Sequence, residues 1–189
     1  MAGKNKVKYN LKNVHYAVIS EDESGVITFA TPVAIPGAVS VSFEAKGDIN
    51  KFNADGMVYF QSVSNNGYEG DLEIALVPEC FEKDVLGAVE DTNKVLVENS
   101  DVQPKSFALL FEFDGDKNKI KHVLYNCIAT RPSVESKTSE EKIEPVTDKL
   151  KISATPLSNG NVKAKTTNST SDEIKNKWYE KVYVVGAEE

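Results

Sequence analysis

The side chains best suited to catalysis or metal binding are sparse in this chain. Two histidines, His15 and His122, and two cysteines, Cys80 and Cys127, are all the imidazoles and thiols that its 189 residues offer. A structural zinc asks for four ligands at short paired spacings, and an activated thiolate asks for a base held beside it. No CxxC occurs, and each histidine falls within a run that reads as strand, so both read as structural. Asp114, Asp116 and Asn118 have the D-x-D-x-N opening of a calcium loop, but the sixth position is Lys119 instead of glycine and the twelfth is Tyr125 instead of glutamate. A hairpin turn accounts for the same residues, because Asp, Gly and Asn tolerate its dihedrals. Glu69, Asp71 and Glu73 could supply a glycosidase pair, yet alternating carboxylates on a strand mark a solvent face and nothing selects two of them. No phosphate-cradling G-x-x-x-x-G-K-[ST], dinucleotide G-x-G-x-x-G or nucleophile-elbow G-x-S-x-G is present. The sequence therefore predicts no catalytic residue, no cofactor and no metal.

Seven aromatics (Tyr9, Tyr16, Tyr59, Tyr68, Trp178, Tyr179 and Tyr183) could line a sugar- or nucleic-acid-binding face. They alternate within strand-like runs, so packing and cross-strand pairing is the expected use. With 29 acidic and 22 basic residues the net charge is −7, which opposes the sequence-independent phosphate binding that clustered Lys and Arg provide. Phe107-Ala-Leu-Leu-Phe111 is the longest apolar run, far short of the roughly 18 residues a membrane span needs. The start, Met-Ala-Gly-Lys-Asn-Lys, lacks the pattern of a secretory signal, so synthesis in the cytoplasm of the producing cell is the expectation, and the Asn168-Ser-Thr170 sequon carries no weight.

The elements that would hold any site are mostly strands. Val39, Val41, Phe43 and Ala45 alternate with polar partners, as do Leu72, Ile74 and Leu76, Leu150, Ile152 and Ala154, and Val162, Ala164 and Thr166. Phe107, Leu109, Phe111 and Phe113 make the strongest apolar face. Residues 26–31, 57–63, 119–130 and 178–185 also read as strands. Helix is scarce. Pro78 opens one candidate carrying Phe81, Val85, Ala88 and Val89 on one face, frayed by Gly87. A capping box at Thr170-Ser-Asp-Glu173 opens a second, short one before Trp178.

Three segments are too polar for a core. Residues 1–12 read as an N-terminal arm with Lys4 and Lys6, and residues 131–148 as a polar loop or arm with Arg131, Glu135 and Lys137. Residues 46–56 (Lys46, Gly47, Asp48, Ile49, Asn50, Lys51, Phe52, Asn53, Ala54, Asp55 and Gly56) read as a long loop between two strands. Loops of such length in compact proteins are functional or disordered. In a monomer such segments favour disorder; in an assembly they are contact arms. The whole chain, residues 1–189, reads as one domain.

Several segments, taken in order, resemble the major tail protein family of long-tailed, non-contractile bacteriophages of Gram-positive bacteria. They are Leu11-Lys-Asn-Val-His-Tyr16, Ile35-Pro-Gly-Ala-Val-Ser40, Asn66-Gly-Tyr-Glu-Gly-Asp-Leu-Glu-Ile-Ala-Leu76, Asp84-Val-Leu-Gly87 and Val95-Leu-Val-Glu-Asn99. Phe107-Ala-Leu-Leu-Phe-Glu-Phe113, His122-Val-Leu-Tyr-Asn-Cys127, Ala129-Thr-Arg-Pro-Ser-Val-Glu-Ser-Lys-Thr138 and Trp178-Tyr179 complete the set. No single motif is specific; the order and coverage are. The resemblance implies a mostly-β tail-tube fold, a β-sandwich or small barrel of two packed sheets with one flanking α-helix and extended loops or arms. It also implies a virion tail protein whose hexameric rings stack into a tube, so the 46–56 loop is the candidate ring-to-ring contact, residues 1–12 and 131–148 are the candidates for gripping neighbours, and the faces around residues 39–45 and 57–63 are the candidate lumen wall. Its partners would be other copies of itself, the tape-measure protein, and tail terminator or distal tail proteins; DNA would pass through the lumen without specific binding, and no membrane is involved. Two other readings compete: an immunoglobulin-like β-sandwich acting as a binding module, and a small enzyme on a β scaffold, the latter lacking a nucleophile–His–acid grouping.

Overall fold

The computed structural model describes residues 9–22, 25–114, 119–136, 138 and 145–186. The strands are β1 (Leu11–Glu21), β2 (Ile27–Phe29), β3 (Val33–Ala34), β4 (Ala38–Lys46), β5 (Ile49–Ala54), β6 (Met57–Val63), β7 (Gly67–Ile74), β8 (Val89–Glu90), β9 (Leu96–Val97), β10 (Phe107–Phe113), β11 (Lys121–Ala129), β12 (Asp148–Ala154) and β13 (Lys163–Lys165). A short helix, α1 (Glu79–Phe81), runs on as a π-helical turn over Glu82–Leu86, and α2 spans Asp172–Lys177.

Nine strands form one antiparallel sheet in the order β2-β1-β10-β11-β12-β7-β4, with β13 beside β11 and β3 beside β1. β3 and β4 belong to one stretch of chain bent at Pro36-Gly37. Its first part pairs with β1 (His15 opposite Ala34) and its second with β7 (Val41 opposite Leu72). That stretch joins the two margins of the sheet and closes it into a small barrel. The two packed layers expected from sequence are thus opposite walls of one curled sheet. Gly37 makes the bend possible: its φ is +77°, in the left-handed region, and its carbonyl accepts from Ala75 N–H at 2.8 Å.

The barrel interior is filled from every wall, by Tyr16, Leu72, Phe107, Leu124 and Ile152 among others, with Phe81 of α1 as a plug. Phe81 meets Tyr16 and Phe107 edge-on, with ring centroids 5.1 and 5.5 Å apart, the arrangement that ring quadrupoles favour. The Tyr16 hydroxyl leaves this core to donate to Asp84 at 2.7 Å. The sequence assigned one apolar face to β10; the structure buries both. Ala108 and Leu110 point away from the interior and are covered by Leu157, Trp178 and Val182 from the C-terminal segment. An unbroken apolar run is what a doubly covered strand requires.

The C-terminal segment also differs from expectation. Residues 178–185 form turns, not a strand. Trp178 and Val182, four positions apart, are the buried pair, and the Tyr125 hydroxyl donates to the Tyr183 carbonyl at 2.6 Å. The N-cap of α2 is Ser171, whose hydroxyl accepts from Ile174 N–H, one residue past the Thr170 position read from sequence. The π-helical turn after α1 stops at Leu86 and the next residue, Gly87, takes φ +80°, so Val89 leaves the helix and enters a separate two-stranded ribbon, β8–β9. Leu76 lies past the end of β7 and is 73% exposed instead of sharing the face of Leu72 and Ile74. β1 begins at Leu11, so the last two residues of the expected N-terminal arm are barrel strand.

Burial makes the fold sensitive to alkali. Desolvation pushes the Tyr125 phenol up to about 12, with Tyr183 adding to it. Tyr16 is raised first by burial and then by Asp84, and Tyr179 by burial and then by Glu112. Each folded-state value lies above the unfolded value near 10, so the unfolded chain loses these protons first. Their stabilisation is complete below about pH 10 and declines as pH rises through the folded values. Tyrosinate absorbance titrated against circular dichroism should show these phenols ionising together with loss of structure. Ionisation near pH 10 in an intact fold would contradict the burial argument.

Candidate assembly surfaces

β4 and β7 pair from Ala38 opposite Ile74 down to Lys46 opposite Gly67, and the ladder then resumes as β5 with β6, from Ile49 opposite Val63 to Ala54 opposite Met57. Asn66 N–H to Lys46 O at 2.8 Å and Ser64 N–H to Asp48 O at 2.9 Å bridge the junction. The result is a single two-stranded ribbon whose root is barrel wall and whose distal half is an arm. The segment read as the 46–56 loop is therefore a strand with its turn. Asp55 and Gly56 have φ of 53° and 76°, both positive, as a two-residue type I′ hairpin turn requires. Six residues of strand carry the arm about 20 Å beyond the barrel.

The arm packs extensively against no other element among the described residues. Its side chains are nonetheless apolar: Ile49, Phe52, Met57, Val58, Tyr59, Phe60 and Val63 are all at least half exposed, Tyr59 and Val63 at 72%. Ile49 opposite Val63 and Phe52 opposite Phe60 lie three positions apart along β5, so they occupy opposite faces. Each side of the arm thus carries exposed apolar side chains, next to the polar pairs Lys51–Gln61 and Asn50–Ser62. Phe52 and Tyr59 meet edge-on at 6.5 Å next to the bulge in the register. An apolar ribbon exposed on both faces is a docking element or an aggregation hazard.

The remaining candidates of this segment shape its root and rim. Lys46 ion-pairs with Glu69 at 3.0 Å, which raises the lysine above its ordinary value. Gly47 lies against Ser64, whose carbonyl oxygen would be 2.1 Å from an added Cβ. Asp48 N–H donates to the Ser64 hydroxyl at 2.8 Å, while Asn50 faces Ser62, Lys51 faces Gln61 and Asn53 faces Val58. Of the arm candidates elsewhere, Arg131 is ion-paired with Glu98, and Glu135 accepts from the Ser133 hydroxyl at 3.0 Å. Lys4, Lys6 and Lys137 lie outside the described residues, as do positions 115–118 of the Asp114 turn. Among the described residues, those of the two arm segments are not gathered with the 46–56 segment into one site.

Sequence reasoning missed two features. One is the β8–β9 ribbon, where Val89 pairs with Val97 and both are exposed. The other is Glu112, buried on the outer face of β10. Its carboxylate accepts from Asn13 at 2.6 Å and Tyr179 at 3.2 Å, and Lys121 lies 4.6 Å from the Tyr179 ring centre and donates to the Lys175 carbonyl at 2.6 Å. This network lines a cleft under α2, and its groups satisfy one another, so it anchors the C-terminal segment. The catalytic candidates are spread out. His15 bonds the Asn13 carbonyl and stacks on Tyr179, His122 stacks on Phe111, Cys127 is buried and Cys80 is exposed. Among the described residues no three His, Cys, Asp or Glu are grouped to hold a metal, and no helix is long and apolar enough to cross a membrane.

A closed barrel extending one doubly apolar ribbon is the build of a self-associating structural subunit. The model of the phage tail tube protein family matches residues 3–180, and the chain belongs to that family. It is a structural tail tube subunit and a component of the virion tail, which displaces the immunoglobulin-like alternative. No curated protein matches it in sequence. Among solved structures it is similar to the sheath–tube complex of an extracellular contractile injection system (12% identity, TM-score 0.49, covering 82% of this chain and 88% of that one). It is also similar to the sheath/tube terminator of that system (12%, 0.47, 86% and 99%) and to the tube-terminating cap of the anti-feeding prophage (12%, 0.45, 88% and 97%).

Proposed function

We propose that the chain forms hexameric rings that stack into the tail tube through the β5–β6 arm. The observation that carries this reading is the arm's exposed apolar surface on both faces, which a free subunit leaves in water and a stack would bury. Residues 1–10 and 131–147 grip neighbouring subunits; tape-measure protein occupies the lumen before ejection, and terminator and distal tail proteins close the ends. The chain has no catalytic role.

The lumen wall is the outer face of β4, β7 and β12. Register places Ser40, Glu73 and Lys149 in one row, Ser42, Asp71 and Lys151 in the next, and Glu44, Glu69 and Ser153 in a third. Glu73 accepts from Ser40 at 2.9 Å and Thr147 at 2.5 Å, and Thr147 is the main reason its carboxyl sits below the usual range. Every lysine of this face has a carboxylate in its own or an adjacent row, so no unopposed basic cluster is left to hold phosphates. Of the two channel-wall candidates from sequence, the polar face of residues 39–45 keeps that role. Met57–Val63 moves to the stacking contact because its exposed side chains are chiefly apolar.

Electron microscopy of the purified chain, alone and with tail-tip complexes as nucleators, tests the reading. Tubes with six-fold end views support it; monomers under both conditions, or another symmetry, reject it. Replacing Glu44 and Asp71 with lysine should leave tubes intact but make them hold duplex DNA at low salt in a nuclease-protected form. DNA that stays fully digestible would remove this face from the lumen.

A further inference from the structure

We infer that the surface receiving the arm is the β8–β9 ribbon at the opposite pole of another copy of this chain, an inference that rests on the stacking reading above. Strand register fixes the two poles. The arm leaves the barrel at Lys46 and Gly67, while the other end of the same strands is the row Ala38, Ile74 and Asp148. The eight-residue β7 separates them by seven steps along the strand, roughly 23 Å. The ribbon belongs to the second end by three links. The chain passes from Ile74 to Val77, whose N–H is held by the Asp148 carboxylate at 2.9 Å, and then through α1 into β8. Lys83 of the π-helical turn is ion-paired with Glu90 of β8. Beyond β9, Glu98 is ion-paired with Arg131, and β11 runs towards this same end, since its pairing steps from Cys127 opposite Ala154 to Ala129 opposite Ile152, in the direction of Asp148.

Exposed aliphatic side chains gather at this pole. Val89 (58%), Val95 (55%) and Val97 (49%) lie on and beside the ribbon, with Leu76 and Val134 on the adjoining segments. The ribbon, like the arm, packs extensively against no other element among the described residues. One chain thus carries a projecting apolar element at one end and an uncovered apolar surface at the other. Two different surfaces on opposite poles make a heterologous contact that repeats by translation, which is what an open stack needs. The occupant is therefore a second copy, docking arm to ribbon.

Two variants test this: a ribbon variant with Val89→Asp and Val97→Asp, and an arm variant with Phe52→Asp and Phe60→Asp. All four sites are exposed in the subunit, so circular dichroism and thermal melts should match wild type. Neither variant alone should form tubes. Mixed together, each supplies the surface the other lacks, so assembly should stop after a single junction, read as a complex with twice the mass of either component by light scattering. Ribbon-variant tubes equal in yield and length to wild-type tubes would overturn the inference while leaving the stacking reading intact. A mixture that shows no doubled species would also overturn it. Wild type that forms no assembly under any of these conditions would sink both.

Discussion

Phe60→Asp alone should reduce tube formation at least tenfold while the free subunit unfolds within about 0.5 kcal/mol of wild type, the usual range for an exposed substitution. The two halves of this expectation have one cause. Phe60 is 61% exposed, so the monomer has little to lose there. Each stacked copy, by contrast, would bury the ring for about 1.5–3 kcal/mol, and a carboxylate in the same place would have to be desolvated without a partner. The loss recurs at every subunit of a ring, so a modest change per copy becomes decisive for the polymer. Sedimentation of the purified variant next to wild type, with denaturant melts of both, measures the two quantities separately. Normal tubes from a normally folded variant would remove the arm from the stacking contact. Tube loss accompanied by a large drop in stability would show that Phe60 serves the fold.

Gly70→Ala should be among the most damaging single-methyl additions in the chain, costing about 1–3 kcal/mol or more. Gly70 sits in the middle of β7 between Phe43 of β4 and Ile152 of β12. A Cβ there would lie 1.8 Å from the Ser42 carbonyl oxygen and 2.8 Å from the Phe43 Cα. Those atoms are backbone, held by the ladder that roots the arm, so they cannot swing aside as a side-chain tip would. Gly160→Ala is the control: its φ is +82° but nothing lies within 4 Å of the new methyl, so only conformational strain of about 1–2 kcal/mol applies. Denaturant midpoints should fall further for Gly70→Ala than for Gly160→Ala, and equal shifts would show that β4 yields easily. Because β4 and β7 aim the arm, the Gly70 variant should also assemble poorly.

The barrel was legible wherever one face of a strand meets the core. Leu150, Ile152 and Ala154, or Leu72 and Ile74, alternate with charged residues because one side is buried and the other wet. The arm was not legible for the opposite reason. β6 is exposed along its whole length in the subunit, and β5 nearly so, so no alternation marks an inside, and Lys, Asp and Asn gave the first strand the composition of a loop. The Asp55-Gly56 pair was the signal available, since it favours a tight hairpin between the runs on either side. At the C-terminus, Trp178 and Val182 sit at a spacing of four, which fits a helical or turn-like path better than the period of two that suggested a strand. Loss of Leu76 from the β7 face has a local cause, because the strand ends at Ile74 and the chain turns towards α1. The polar segments were legible from their failure to suit a core; the strand shape of the 46–56 segment required the register.

The continuity of the ribbon from Ala38 to Ile74 also bears on proofreading during assembly. A two-stranded hairpin standing alone in water is marginal at best. Here its strands are prolongations of β4 and β7, so the arm is ordered only when its root is already zipped into a completed barrel. A nascent or misfolded chain has the right residues but cannot present them as a rigid docking edge. On the stacking reading proposed above, competence to join the polymer becomes a readout of correct folding, and defective subunits would be excluded at the growing end without any separate inspector.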